Sequence, residues 1–130
     1  MKRLLPFLML LSGCAHYGNF SGATAGQDGQ MAHDAAKAIR VAWPPSDTAL
    51  KADVSTPDPF LGVLVENLQS SGYSIKAPNA KTGSELRYIV DRVDEAHYRV
   101  SILVDGHSLS RLYETSQGQL RPASAWARQE

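Results

Sequence analysis

The spacing of apolar residues predicts a first amphipathic helix over residues 31–43. Apolar side chains recur there at helical spacing, at Ala32, Ala35, Ile39 and Ala42. Alanine is the strongest helix former, and five alanines lie in this stretch. Pro44 and Pro45 end the helix because proline cannot continue it. The stripe of small side chains would let this helix lie close to a sheet.

A second helix is expected to begin at Pro59, with Asp58 as its N-cap and Gly72 as its C-terminal cap. Its apolar stripe is wide and consists of Phe60, Leu61, Leu64, Val65 and Leu68. Short strands are expected over residues 49–55 and 73–75, and residues 78–84 read as a loop.

The second half of the chain predicts a β-meander. Residues 86–93 and 98–104 alternate in polarity, and Asp105-Gly106 between two such runs is a type I′ hairpin signal. The hairpin would form three cross-strand pairs: Ile102 with Leu109, Val100 with Arg111, and Tyr98 with Tyr113.

These elements predict an α+β fold, with two helices packed on a small, mainly antiparallel sheet that ends in a three-strand meander. Trp126 lies near the C-terminus, where we expect it to pack onto the core. The alternative is an exposed anchor for another subunit.

The first fourteen residues have the build of a bacterial secretory signal peptide. Lys2 and Arg3 form a positive head, an apolar run follows to Leu11, and Ser12-Gly13 precede Cys14. The run of about 8 apolar residues would span only ~12 Å as a helix, too short to cross a bilayer. Removal of residues 1–13 as a lipoprotein signal peptide is therefore expected.

Cys14 is the only cysteine in the chain and stands where a lipoprotein is acylated. The alternative is an unpaired thiol near the terminus, free to oxidise or to cross-link two chains. Ala15 follows Cys14, and without an aspartate there the default destination is the outer membrane. The prediction is a lipid-anchored protein with its domain in the periplasm.

Residues 14–30 are rich in glycine, alanine and polar residues and are expected to form a lipidated, flexible tether. Residues 31–130 would then be a small periplasmic α+β domain. Tyr17 and Phe20 stand out in the tether. They either lie at the lipid headgroups or belong to a segment that orders on a partner, and we mark them as possible partner-binding residues.

The charge of the chain argues against nucleic acid as a partner. Basic and acidic residues are equal in number, 13 each, and removal of Lys2 and Arg3 leaves the mature chain slightly acidic. No basic surplus remains to hold phosphates. The partners expected are the membrane, through the lipid, and other envelope proteins.

No catalytic signature is visible, and we predict that the protein is not an enzyme and needs no cofactor. The four histidines, His16, His33, His97 and His107, show no metal-ligand spacing. A Ser-His-Asp site can be assembled from distant residues, but no nucleophile elbow or phosphate loop is present. Asp91, Asp94 and Glu95 are read as ordinary turn residues.

Several segments, in order along the chain, resemble the TrbH family of conjugal transfer lipoproteins. They are residues 14–20 (CAHYGNF), 43–45 (WPP), 56–60 (TPDPF), 72–73 (GY), 86–91 (LRYIVD), 98–100 (YRV), 108–111 (SLSR), 122–123 (PA) and 126–128 (WAR). The resemblance implies an outer-membrane lipoprotein component of a conjugative type IV secretion system, with a structural role in assembling the mating channel. Its implied partners are other type IV secretion channel subunits at the outer membrane. Only Cys14 carries over as a functional position.

Two alternatives remain open at this point. One is another envelope-assembly lipoprotein, either pilotin-like or secretin-assisting, and the other is a periplasmic module that binds peptidoglycan or a small ligand. In the scaffold reading, Tyr17 and Phe20 or an open edge of a meander strand would form the interface. Arg99 and Arg111 either pair with carboxylates of a partner or lie on a solvated face.

Overall fold

The computed structural model describes residues 16–129, which form two α-helices, a short 3-10 helix and eight strands. The elements follow in this order: β1 (Gly18–Asn19), α1 (Ala25–Ala42), the 3-10 helix (Pro45–Asp47), β2 (Leu50–Lys51), α2 (Pro59–Ser70), β3 (Ile75–Lys76), β4 (Ser84–Asp94), β5 (His97–Val104), β6 (His107–Ser116), β7 (Gln119–Pro122) and β8 (Ala127–Gln129). The predicted α+β fold is confirmed.

The sheet is a three-strand antiparallel meander flanked on both sides by short strands. Its order is β3-β2-β4-β5-β6-β7, with β1 also on β4 and β8 also on β6. Strands β1, β2 and β3 pair in parallel, whereas β7 and β8 pair antiparallel to β6. The sheet is therefore mixed, with its antiparallel part at the centre and at the C-terminal side.

The hairpin between β5 and β6 has the predicted register. Asp105 and Gly106 both have positive φ, 50° and 86°, as a type I′ turn requires. The three predicted pairs are observed: Ile102 with Leu109, Val100 with Arg111, and Tyr98 with Tyr113. Turn chemistry and the period-two pattern agree here, so the register was decided locally.

Both helices pack on one face of the sheet, and the core lies between them and the meander. Strand β5 supplies alternate buried residues, namely Tyr98, Val100, Ile102 and Val104. Helix α1 contributes Met31, Ile39 and three fully buried alanines, which let it approach α2 and β5 closely. Trp126 packs against this core, as predicted.

Helix α2 has the predicted start and end. The Asp58 side chain accepts a hydrogen bond from the Leu61 amide at 3.1 Å, and Pro59 occupies the first turn. At the other end Gly72 has a φ of 101°, and the Tyr73 amide donates to the Leu68 carbonyl at 3.0 Å. This is a Schellman cap, which needs glycine for its left-handed residue.

Helix α1 begins at Ala25, six residues before the predicted start at residue 31. Thr24 and Gln27 form a capping box, in which the Gln27 amide donates to the Thr24 hydroxyl and the Thr24 amide donates to the Gln27 side chain. The weak apolar pattern of residues 25–30 conceals this start, because the cap and not an apolar stripe defines it.

The expectation of a flexible tether over residues 14–30 does not hold for residues 18–19 or 25–30. Strand β1 occupies the first of these ranges, and the first turns of α1 occupy the second. The predicted strands at residues 49–55 and 73–75 are shorter or displaced, and β1, β7 and β8 were not predicted. Short strands carry too little periodicity to be recognised without their partners.

Candidate functional site at the N-terminal strand

The predicted site residues fall around β1. Cys14 and the predicted signal peptide, residues 1–13, lie outside the described residues. Tyr17 and Phe20 flank the strand and expose 40% and 57% of their surface. Both are thus available to a partner, although the backbone between them is held to the domain.

Strand β1 is fixed to the outer edge of β4. Gly18 pairs with Ile89 and Asn19 with Val90 in parallel register. The Phe20 amide then donates to the Val90 carbonyl at 2.6 Å. A two-residue strand is weak by itself, so side-chain contacts must hold it in place.

Asn19 supplies these contacts. Its amide nitrogen donates to Asp58 Oδ1 at 3.0 Å, which joins β1 to the start of α2. Its carbonyl oxygen accepts from the Ser21 amide and hydroxyl at 3.1 and 2.7 Å. Ser21 is buried, and its hydroxyl accepts from the Ala23 amide at 3.1 Å. Asn19 therefore fixes the turn that leads from β1 into α1.

Asp58 is the second centre of this polar network. Besides Asn19 and the Leu61 amide, it accepts a hydrogen bond from the Tyr88 hydroxyl at 2.8 Å. The Tyr88 ring stacks on Phe60, with a centroid distance of 5.3 Å. Burial and the hydrogen bond to the carboxylate both raise the pKa of Tyr88, so the phenol stays protonated as a donor.

Asp28, in the first turn of α1, is buried beside this network. Its side chain is 3% exposed, and no described group donates a hydrogen bond to Oδ1. Burial raises the pKa of Asp28, the Asn19 amide partly offsets this, and the nearby Asp58 carboxylate adds to it. The site thus holds an unsatisfied polar atom, which costs stability.

Phe20 lies on the sheet face opposite the helices, and Tyr17 lies at the edge of β4 beside Arg87. Gly18 pairs with Ile89, which faces away from the helices because its neighbour Val90 is buried towards them. Phe20 is on the same side as Gly18, since a Cβ at Gly18 would lie 3.5 Å from the Phe20 ring. The guanidinium of Arg87 lies 4.6 Å from the centre of the Tyr17 ring. We call Tyr17, Phe20, Arg87 and Ile89 the aromatic edge.

The pairing of β4 leaves an interval on its outer edge. Among the described residues, β2 pairs with Ser84 and Glu85, and β1 pairs with Ile89 and Val90, so residues 86–88 have no strand partner there. A cavity of about 480 Å³ opens at this interval. It is lined by residues that include Tyr17, Lys51, Asp53, Asp58, Arg87 and Tyr88. We call it the edge cavity.

Of the two outer strands of the meander, β6 is mostly covered, whereas on the outer edge of β4 residues 86–88 and 91–94 have no strand partner among the described residues. The predicted open edge is therefore present on part of β4, and its use as an interface stays a prediction. On the far side β8 pairs with residues 108–110 of β6, and β7 pairs with residues 113–116. Covering strands protect a sheet from pairing with other chains.

Arg99 and Arg111 each pair with a carboxylate of the chain itself. Arg99 donates to Asp91 Oδ2 at 2.7 Å on the open face, with about half of its side chain exposed. Arg111 donates to Asp34 Oδ2 at 2.7 Å under helix α1, where both side chains are mostly covered. The Tyr113 hydroxyl donates to the same oxygen.

The prediction of ordinary turn residues is wrong for Asp91, which lies within β4 and pairs with Arg99 of β5, whereas Asp94 ends β4 at the turn to β5. Asp94 Oδ1 accepts from the Ala96 amide at 2.9 Å and lies 2.8 Å from His97 Nδ1. These contacts hold the pKa of Asp94 below its usual value.

Among the histidines, His33 Nδ1 lies 2.9 Å from Asn67 Oδ1 and so links the two helices. Within residues 16–129 no group of three metal-ligating side chains converges, and no helix is long and apolar enough to cross a bilayer.

A family model described as conjugal transfer protein TrbH matches residues 14–130. The chain belongs to the TrbH family. Its family resemblance, expected from short segments of sequence, is thereby confirmed over the whole predicted mature chain. No curated protein and no solved structure gave a significant match.

Membership of the TrbH family makes the chain a conjugal transfer protein of a mating system.

The polar network around Asn19 was missed by sequence reasoning. A usable signal was present, because the Thr24-x-x-Gln27 capping box places the helix start at Ala25 and shortens the segment before it.

Proposed function

We propose that this TrbH family protein is an outer-membrane lipoprotein that helps to assemble the mating channel of a conjugative type IV secretion system. One observation carries the proposal: the family match begins at residue 14, the cysteine that directly follows the predicted signal peptide. The mature chain of the proposal and the family unit therefore begin at the same residue.

The anchor of this proposal is a lipid on Cys14. Each buried methylene adds about 0.8 kcal/mol to membrane binding, and stable attachment takes more than one acyl chain. A triacylated cysteine meets that condition, and the protein would stay bound to the periplasmic side of the outer membrane.

A structural role agrees with how the domain uses its polar side chains. Asp58 caps a helix and holds Asn19 and Tyr88, and Asp34 holds Arg111 and Tyr113. These groups join elements of the fold to one another. Their chemistry supports a rigid module presented to other channel subunits, with the larger envelope proteins of the channel as its partners.

The test is the variant Cys14→Ser, followed by membrane fractionation and by conjugation frequency between donor and recipient cells. We expect the variant to leave the outer-membrane fraction and transfer to collapse. His16→Ala, which keeps the cysteine and changes an exposed residue, is the matched control and should behave like the parent. Retention of Cys14→Ser at the outer membrane would reject the lipid anchor. Loss from the membrane with normal transfer would reject the anchored channel role.

The edge cavity favours a second candidate, a module that binds peptidoglycan or a small ligand. Lys51 and Arg87 stand in its wall together with Asp53 and Asp58, so it combines charges of both signs with apolar surface. Co-sedimentation with purified cell-wall sacculi would decide this, with Lys51→Ala as the variant that should lose binding.

Co-purification of a secretin in place of channel subunits would favour the pilotin-like alternative.

A further inference from the structure

We propose that the aromatic edge lies directly on the lipid bilayer, so that the open face of the sheet rests against the membrane to which the protein is anchored. This inference rests on the proposed lipidation of Cys14. It replaces the picture of a domain held away from the membrane by a long, flexible tether.

The chain between the lipid and the domain is short. Strand β1 begins at Gly18, so only residues 15–17 separate it from Cys14. Four Cα–Cα steps of 3.8 Å span at most ~15 Å. A tether that ended at residue 30 would instead have reached ~50 Å, at about 3.3 Å per residue.

This distance is short compared with the membrane surface. The headgroup layer on each side of a bilayer is roughly 5–8 Å thick, the difference between the whole bilayer and its hydrocarbon core. A domain whose first strand lies within ~15 Å of the acylated residue must therefore contact that layer or stand immediately above it. The short connection also determines which part of the domain is nearest, namely the β1 edge.

Side-chain and backbone hydrogen bonds hold β1 on the domain and so keep this connection short. The Phe20 amide is bonded to the Val90 carbonyl, and Asn19 is bonded to Asp58 at 3.0 Å. Ser21 is buried behind it. The polar network found at the site thus serves to keep the domain close to the lipid.

The surface nearest to the lipid is aromatic. Phe20 is the most exposed aromatic side chain of the described chain at 57%, and Tyr17 is 40% exposed. Aromatic rings concentrate at membrane interfaces, and arginine places its apolar stem along such a surface while its guanidinium stays at the headgroups. Arg87 lies over the Tyr17 ring in this arrangement.

The open face combines partly exposed apolar side chains with exposed ion pairs, Arg87 with Glu85 and Arg99 with Asp91. Ile89, Leu103 and Leu112 alternate with the buried residues of β4, β5 and β6, and each keeps part of its surface exposed. The hydroxyls of Ser101 and Ser110 are hydrogen-bonded to each other at 3.2 Å at the centre of this face. A face that combines apolar side chains with hydroxyls and ion pairs can lie along a headgroup layer, which is itself polar.

The experiment uses the fact that Cys14 is the only cysteine. Once its thiol carries lipid, an introduced cysteine is the single free thiol of the full chain. Phe20→Cys places a fluorophore on the aromatic edge, and Val41→Cys places the same fluorophore on α1, at a residue that is 86% exposed and lies across the fold. Both positions are exposed, so neither label disturbs the core.

The lipidated protein is reconstituted into vesicles of phosphatidylethanolamine and phosphatidylglycerol. Lipids with a nitroxide near the headgroup should quench the label at position 20 several-fold more than the label at position 41. Iodide in the water should show the opposite order. Equal quenching by the lipid nitroxide at the two positions would overturn the proposal.

Two further outcomes are separable. If the protein does not bind vesicles, the lipid anchor itself fails, and with it the proposed function. If it binds but the label at position 20 stays open to iodide until channel proteins are added, a protein partner occupies the aromatic edge, and only the membrane contact is rejected.

Discussion

The two outer strands of the meander are flanked alike but closed differently. On β4 the short strands β2 and β1 leave residues 86–88 between them, and on β6 the short strands β8 and β7 leave residues 111–112. At β6 the chain fills the interval, because the Ala123 amide donates to the Leu112 carbonyl at 2.8 Å and the Leu112 amide to Ser124 Oγ at 3.0 Å. At β4 the interval opens into the edge cavity.

The difference follows from where the covering segments lie in the sequence. Strands β7 and β8 follow β6 almost at once, so one short loop can cross the interval. Strands β1 and β2 arrive from separate parts of the chain, and β1 pairs with residues about 70 positions away. Closing such distant segments costs more conformational entropy than closing a short loop. A closed edge therefore stabilises the domain, and a partly open edge is available for binding.

The largest loss of stability is expected from a variant that weakens the closed edge at β6. Arg111→Ala removes the ion pair to Asp34 and the hydrogen bond from Arg111 Nε to the Ser124 carbonyl, 2.8 Å long. Because Asp34 then stays mostly covered with one donor fewer, the free energy of unfolding should fall by about 2–3 kcal/mol. Urea denaturation measures this.

The control for that variant is Arg99→Ala. Arg99 pairs with Asp91 on the open face, where about half of the arginine and a third of the aspartate are exposed. An exposed ion pair contributes at most about 1 kcal/mol. Equal losses of unfolding free energy in the two variants would show that the mostly covered ion pair of Arg111 contributes no more than the exposed ion pair of Arg99.

A smaller loss is expected from opening the β1 edge itself. Asn19→Ala removes the bonds to Asp58 and to Ser21, which should cost about 2 kcal/mol. Hydrogen exchange of the Phe20 amide should accelerate more than exchange in β5, since β1 then opens separately. Asn79→Ala, in an exposed turn, should change stability by less than about 0.5 kcal/mol. Unchanged exchange at Phe20 would contradict the role of Asn19.

The smallest effect is a gain. Asp28→Asn removes a buried charge whose Oδ1 has no described donor, and the unfolding free energy at neutral pH should rise by about 1 kcal/mol. The N-terminal end of α1 favours a carboxylate by only about 0.3–1 kcal/mol, and burial outweighs it, since the pKa of Asp28 is raised.

The pH dependence gives the sign of this effect. A carboxyl whose native pKa lies above its ordinary value of 3.8 loses stability as pH rises through the interval between the two. The gain in Asp28→Asn should therefore vanish below pH 3.8. Asp94→Asn is the opposite case, because the pKa of Asp94 is lowered, and that variant should lose stability at neutral pH. The same sign in both variants would contradict the assignment.

The sequence predicted the elements whose determinants are neighbours in the chain. Asp58 and Gly72 define α2 through contacts a few residues away, and Asp105-Gly106 defines the register of β5 and β6. The start of α1 was also encoded locally, in Thr24 and Gln27, but the apolar pattern concealed it. For the site, the sequence indicated Tyr17 and Phe20. It wrongly predicted that the backbone between them is flexible, whereas that backbone forms strand β1.

What the sequence determined by itself is the α+β class, both helix caps of α2, the meander register and membership of the TrbH family. Only the tertiary structure decided that β1 lies on β4, that Asn19 joins it to Asp58, and that a cavity interrupts this edge. The physical reason is the distance along the sequence between the residues that interact. Caps and tight turns gain their hydrogen bonds within a few residues, whereas a two-residue strand has no stability until distant side chains meet around it.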